Sequence, residues 1–299
     1  MKKIITLGIN LSDEHKKRLE SVGELVTKDS PTSIEDFKSK TESADIIFSN
    51  GDYLLEALPL LKNVFVTYPY VELGVFNTEE LERNGVHIAN SQGGNRDSVC
   101  EWAMFMMLEL FRKFIPMVRA KENFPVDMQQ SLVGKKVLII GHGSMGSRLG
   151  ELCNAFKMDV KYFERGDDLQ KASADADLII NTLNCNTSSK NLLDKDFFMN
   201  LKKGTYYITF SRPYTYDIDG LIEAINAGVV AGAAIDCDPE KFGDTTNEFY
   251  QKALSNDKIL VTPHIAFSTT QAIAGGREIA IQNIEKYIVG NSQNILHKK

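Results

Sequence analysis

Apolar residues along this chain fall into two alternating rhythms. Short unbroken runs, KIITLG, ELVT, DIIFSN, NVFVTY and GVHIAN in the first part, predict buried strands. Between them, residues 12–22, 34–41 and 78–84 carry helical spacing, the last closed by Gly85 as a C-cap. The second part repeats the rhythm with KVLIIG, DVKYFE, DLIINT, TYYITF, VVAGAAI and KILVTP. Alternation of this kind predicts parallel sheets wrapped by helices.

One segment breaks the alternation. SVCEWAMFMMLELFRKF opens on a capping box, Ser98 with Glu101 three residues on. It then places Val99, Trp102, Ala103, Met106, Leu110 and Phe114 at helical spacing. Met104, Phe105 and Leu108 widen that stripe until little of the helix is polar, which makes it a core helix between two domains or subunits rather than a Met-lined cofactor box. IPMVRAKENFPVDMQQSLVGK, with two prolines and weak periodicity, follows as a crossing linker.

Length and charge narrow the picture. A chain of 299 residues, 43% hydrophobic and 25% charged, is long enough for two ordinary cores. A net charge of −6 without a basic block argues against nucleic acid and anionic membrane surfaces as partners. No apolar run approaches the roughly 20 residues that span a bilayer. The opening MKKIITLGIN, broken by Thr6 and Asn10, predicts a first strand rather than a cleaved leader. Cys100, Cys153, Cys185 and Cys237 lie too far apart for a metal or redox motif, so reduced thiols and the cytoplasm are expected, with no metal.

Candidate chemistry begins at GHGSMG, with Gly141, His142, Gly143, Ser144, Met145 and Gly146. Three glycines in this spacing are weak evidence alone. Here a strand runs into them and a helix pattern, SMGSRLGELCNAF, leaves them. In that setting the first glycine permits the turn, the second lets the backbone approach a pyrophosphate, and the third allows close packing. Glu164 closes the next strand about 20 residues on, where a carboxylate accepts from ribose hydroxyls. It disfavours a 2′-phosphate and so favours NAD over NADP, while Arg165 beside it works the other way. His142 is expected to pack near the phosphates.

A hydride carrier needs an acid/base and a cation for the oxygenated carbon. Of the five histidines, His264 in ILVTPHIAFS stands just after a strand, where α/β loops carry function. Arg212 in YYITFSRPYTYD and Asp236 and Glu240 in GAAIDCDPE follow other strands, so these ends are expected to meet at one sheet edge.

These motifs, in this order and with NSQGGNRDSVCEWA before them, resemble the D-isomer-specific 2-hydroxyacid dehydrogenases, the family of phosphoglycerate, glycerate and D-lactate dehydrogenases. The resemblance covers nearly the whole chain. It implies an α/β fold of two doubly wound parallel-sheet domains: a Rossmann NAD-binding domain, residues 97–267, inserted in a flavodoxin-like substrate domain of residues 1–96 and 268–299. It also implies a homodimer. His264 would take the hydroxyl proton as hydride leaves C2, Arg212 would bind the substrate carboxylate, and Glu240 would orient the histidine. Asp236 would contact the nicotinamide carboxamide, and Ser211 would line the cofactor site.

Two places depart from the family's pattern. Pro213 and Tyr214 follow Arg212 where two glycines are usual, and Tyr70, Val71 and Glu72 occupy the substrate-binding turn. With Tyr68, Tyr70, Tyr214 and Phe267 supplying aromatic surface and Glu72 a negative charge, a monocarboxylate 2-oxo acid is expected over a phosphorylated one. The alternative to an enzyme is an NAD(H)-sensing binding protein resembling the family's co-repressor relatives, with little turnover.

Overall fold

The computed structural model describes residues 1–71, 73–74, 76–123, 125, 129–237 and 242–296. They divide into two compact units, Met1–Asn95 with Thr269–Lys299, and Arg96–Ser268. The first opens with five parallel strands: β1 (Lys3–Leu7), β2 (Glu24–Lys28), β3 (Ile46–Ser49), β4 (Phe65–Thr67) and β5 (His87–Ala89). They lie in the order β2-β1-β3-β4-β5. Helices α1 (Asp13–Val22), α2 (Ile34–Thr41), α3 (Leu54–Ala57) and α4 (Thr78–Arg83) connect them. Every residue of β3 and β4 is buried, as expected of strands covered on both faces. α1 starts cleanly because the Ser12 hydroxyl accepts the His15 N–H and Asp13 and Glu14 sit in its first turn.

The second unit carries six parallel strands: β6 (Lys136–Ile140), β7 (Asp159–Phe163), β8 (Leu178–Asn181), β9 (Thr205–Thr209), β10 (Val230–Cys237) and β11 (Ile259–Pro263). Their order is β11-β10-β9-β8-β6-β7. Helix α5 (Arg96–Arg112) is a core helix of this unit: Cys100, Ala103, Met107 and Phe111 pack with Val137, Ile139 and Ile208 on one sheet face. It begins two residues before the start expected at Ser98, which is buried in the first turn and is not its cap. Asp97, favourable near a helix N-terminus, extends the helix upstream of the Ser98–Glu101 pair. Among the described residues, the linker after α5 holds a short helix, α6 (Phe114–Arg119).

α7 (Ser144–Ala155) packs on the α5 side of the sheet, where Leu149 and Cys153 join the core. The helices α8 (Leu169–Ser173), α9 (Lys195–Met199), α10 (Ile218–Asn226) and α11 (Glu248–Leu254) follow. Phe197, Phe198, Leu221 and Ala253 fill the opposite face, so the sheet is wound on both sides.

The chain then returns to the first unit as α12 (Thr270–Ile288), capped by the Thr269 hydroxyl. Ala280, Ile281 and Ile284 pack with Ile4, Phe48 and Phe65. Buried Asn283 donates to Thr67 Oγ1 (3.2 Å) and to the Asn90 carbonyl (2.9 Å). Gly276 lies so close to the Pro69 carbonyl that a Cβ would sit 2.1 Å from its oxygen.

In both sheets the direction of winding reverses beside the first strand, between β1 and β3 and between β6 and β8. Crevices at the carboxyl ends of strands at such a reversal are where open α/β sheets bind ligands.

Candidate active site

The glycine loop occupies the reversal point of the second sheet. Gly141 leaves β6 with φ +106°, and a Cβ there would meet Thr182 Oγ1 at 2.7 Å. The Thr182 hydroxyl lies within hydrogen-bonding distance of the carbonyls of Ile140 (3.1 Å) and Gly141 (3.0 Å), tying the end of β6 to the end of β8. A Cβ on Gly146 would approach the Gly141 carbonyl oxygen to 2.0 Å, so only glycine permits this crossing. Gly143 differs: a Cβ there would meet nothing within 4 Å. That open space lies at the N-cap of α7, which has no side-chain cap and no acidic residue in its first turn. The intrahelical bond from the Ser147 N–H to the Gly143 carbonyl (2.9 Å) leaves the preceding N–H groups available to an anion. The loop therefore fits the diphosphate of a dinucleotide in shape and sign.

Glu164 stands immediately beyond β7 and is exposed. Its N–H donates to Asp167 Oδ2 (2.8 Å), which shapes the turn. Its carboxylate is engaged: His142 Nδ1 lies 2.6 Å from Glu164 Oε1, and the His142 ring stacks on Tyr162 at 3.8 Å. Because an ionised carboxylate only accepts, Nδ1 is assigned the proton. His142 thus sits against the Glu164 carboxylate. Arg165 is exposed and donates to Ser188 Oγ (3.2 Å).

Arg212 is half-buried at the head of a single 3-10 turn, Pro213–Thr215. Pro213 is accommodated because it occupies the first position of that turn, where its missing N–H is not needed. The Arg212 carbonyl accepts from the Thr215 N–H and hydroxyl, both at 3.0 Å. Fully buried Asn181, at the end of β8, donates to Thr215 Oγ1 (3.0 Å) and Tyr207 Oη (3.1 Å). Ser211 is buried, its hydroxyl donating to the Asn181 carbonyl and its N–H to Thr209 Oγ1.

His264 follows β11 in the left-handed region, φ +57°, rare for a residue with a side chain. Buried Asp236 holds the turn. It accepts from Thr262 Oγ1 (2.5 Å) and the N–H of Ile265 (3.0 Å) with one oxygen, and from the Ala266 N–H (2.9 Å) with the other. Burial pushes the Asp236 carboxyl up from the usual range, against the pull of these donors and of nearby His264. Asp236 was read from the sequence as a cofactor contact; in the structure its carboxylate fixes the backbone on which His264 stands. Phe242 and Phe267 present edges to the imidazole, at centroid separations of 4.8 and 5.7 Å. Phe242 carried no sequence signal, since it follows a segment with no periodicity. Glu240 lies outside the described residues. Arg212, Asp236 and His264 follow or end neighbouring parallel strands, β9, β10 and β11, at the same sheet edge as the glycine loop.

In the first unit, half-buried Tyr70 and Val71 form a turn after β4. Asn90 Nδ2 holds the Val71 carbonyl at 2.8 Å. Glu72 lies outside the described residues. Tyr68, expected to offer an aromatic surface to substrate, is instead 0% exposed and part of this unit's core, because its ring continues the buried run of β4. Among the described residues, no three His, Cys, Asp or Glu side chains group as metal donors. No helix among them is long and apolar enough to cross a membrane.

Residues 103–266 match the sequence model of a family described as D-isomer specific 2-hydroxyacid dehydrogenase, NAD binding domain. A D-lactate dehydrogenase of Staphylococcus aureus (strain MRSA252) is 25% identical over 224 residues, covering 67% of this chain and 68% of that protein. Among solved structures, an acyclic imino acid reductase in complex with NADPH and D-Arg superposes with TM-score 0.82 at 17% identity, covering 99% of this chain and 100% of that one. The NAD-complexed D-isomer specific 2-hydroxyacid dehydrogenase of Lactobacillus delbrueckii ssp. bulgaricus gives TM-score 0.79 at 18% identity, with the same coverage. At these identities the two structures speak for the fold alone.

Proposed function

The chain belongs to the D-isomer specific 2-hydroxyacid dehydrogenases, NAD-dependent oxidoreductases, and from that premise we propose that it interconverts a D-2-hydroxy acid and its 2-oxo acid with His264 as acid/base. The observation that carries this reading is the open space at Gly143, on an uncapped helix, at the sheet edge that also bears Arg212 and His264. NAD, when bound, supplies the hydride acceptor. The protein's own groups supply the rest. The Arg212 guanidinium binds the substrate carboxylate and polarises the carbonyl oxygen. His264 takes the hydroxyl proton at an imidazole nitrogen and returns it in reduction. Phe242 and Phe267 pack against that imidazole and steady it. The Glu240 carboxylate, by resemblance, orients it. Glu164 accepts from the ribose hydroxyls and disfavours a 2′-phosphate, which sets NAD above NADP.

The turn at Tyr70 and Val71 is proposed to bind substrate, and a monocarboxylate 2-oxo acid to be preferred over 3-phosphohydroxypyruvate. We read the protein as a homodimer, supported by the exposed apolar side chains Phe105, Phe114 and Val118 of α5 and α6. The four free cysteines, three of them buried, support a cytoplasmic setting. Oxidation of NADH against a panel of 2-oxo acids, with NADPH alongside, tests the reading. Tight NADH binding without turnover on any oxo acid would favour the binding-protein alternative.

A further inference from the structure

We propose that His142 is a specificity-determining residue for the cofactor: by holding Glu164 it sets how strongly the site rejects a 2′-phosphate, and it relaxes that rejection when it is protonated. The inference rests on the reading of Gly141–Gly146 and Glu164 as a dinucleotide site. Three observations carry it. His142 Nδ1 is 2.6 Å from Glu164 Oε1, so one carboxylate oxygen is already donated to before any ribose arrives. The ring is held there by its stack on Tyr162, with planes 19° apart. Both partners are exposed, with side-chain exposures of 42% and 60%, so the pair lies on the surface a ribose would approach.

The chemistry follows from the two ring nitrogens. Nδ1 keeps its proton on the carboxylate in both states, so titration adds a proton at the other nitrogen, Nε2. With His142 neutral, Glu164 presents a full negative charge, and a ribose 2′-phosphate is repelled. With His142 protonated, the pair is neutral overall, and the sign of the local field passes to its neighbours. These are Arg165 and Asp167 on the same turn and Tyr162 beneath the ring. Tyr162 does not join in, since burial pushes its hydroxyl up from 10.0. Arg148 of α7 is engaged by Asp97 and Glu151. Over His142, Glu164, Arg165 and Asp167 the charge then goes from −1 with His142 neutral to zero with it protonated, so the repulsion of the phosphate is relieved.

The test is a titration of the full-length protein with NADH and with NADPH, followed by nicotinamide fluorescence at about pH 8.5 and at about pH 6. The readout is binding, not turnover. In the wild type, the ratio Kd(NADPH)/Kd(NADH) should fall by at least about threefold on acidification beyond any fall in the variants, the scale of one exposed charge pair. His142→Phe keeps a ring to stack on Tyr162 but carries no charge, and His142→Gln keeps a donor but does not titrate. Both should retain only the shift caused by the 2′-phosphate's own ionisation near pH 6. Equal pH responses in wild type and both variants would overturn the proposal while leaving the dinucleotide site standing. Absence of binding by either nucleotide would overturn both.

Discussion

The two units wind their sheets alike around the first strand of each, yet they use the reversal point in opposite ways. In the first, Gly8 leaves β1 with φ +63°, and a Cβ there would strike Ser30 Oγ at 2.1 Å and Asn50 Nδ2 at 2.7 Å. Asn50 donates to Ser30 (2.9 Å), so side chains fill the crevice. In the adjoining helix the Ser12 hydroxyl takes the His15 N–H, and Asp13 and Glu14 in the first turn repel an anion. In the second, Gly143 borders empty space and α7 has neither cap nor acid. Shared winding offers a place for a ligand; a handful of side chains decides whether it is a site or a seal.

The contrast can be broken most severely at the edge of the second sheet. His264→Gln should lower turnover with a 2-oxo acid by at least about a hundredfold, the scale of a positioned acid/base, and leave NADH affinity within about twofold. Steady-state kinetics with a fluorescence titration reads both; normal turnover would make His264 structural.

A milder test puts one substitution into each crevice. Gly143→Ala should weaken NADH by at least about tenfold, ~1.4 kcal/mol, without moving the Tm, since the added methyl meets only open space. Gly8→Ala should instead cost roughly 1–3 kcal/mol of stability through overpacking and backbone strain, with NADH affinity unchanged. Calorimetry and titration of the two variants should give opposite patterns. A loss of stability at both positions would mean that the second crevice is also a seal.

The helix starts sharpen the contrast further. Ser12→Ala should cost about 1 kcal/mol by removing a cap, whereas Ser144→Ala, at an exposed position where no hydroxyl caps α7, should change stability by less than about 0.5 kcal/mol. Denaturant melts compare them directly.

The smallest effect is in acid. In the first unit Arg18 of α1 bridges Glu278 and Glu285 of α12, at 2.7 and 2.9 Å. The Arg18 hydrogen bond and charge hold the Glu278 carboxyl below its ordinary 4.5. Its folded value being depressed, the contribution is complete above about pH 4.5 and is lost as pH falls through the lower folded value. At this exposure it is on the order of 1 kcal/mol or less. Glu278→Gln should flatten that part of the acid stability profile by the same amount.

The doubly wound fold was legible because buried parallel strands announce themselves as unbroken apolar runs, and the glycine turn between β6 and α7 because glycine is demanded by backbone geometry within a few residues. What stayed hidden depends on contacts between distant positions. Nothing local in GHGSMG says that His142 reaches Glu164, 22 residues on, since that contact is made across two neighbouring strands. Asp236 could be found as a strand-end acid, but its three donors come from the turn around His264 and appear only when β10 and β11 pair. Tyr68 was expected to line the substrate cavity, but one residue beyond β4 its ring continues that strand's buried run into the core of the first unit. The start of α5 missed by two residues, within the ordinary ambiguity of helix ends.

The return of α12 to the first unit has a consequence for synthesis on the ribosome. Asn283 supplies hydrogen bonds to Thr67 and Asn90, and Ala280, Ile281 and Ile284 cover Ile4, Phe48 and Phe65. The α12 residues do not exist when the first 95 residues emerge, so the part of that sheet face which α12 covers must wait while Arg96–Ser268 is translated. At ordinary elongation rates the wait is roughly ten to thirty seconds. The inserted unit, contiguous in sequence, has all its partners first. Nascent chains stalled just after Ser268 has cleared the exit tunnel should therefore protect the inserted unit from protease and leave residues 1–95 open to it; early protection of those residues would refute this order. For the cell, the exposed apolar face of an unfinished first unit is the surface that a nascent-chain chaperone would meet.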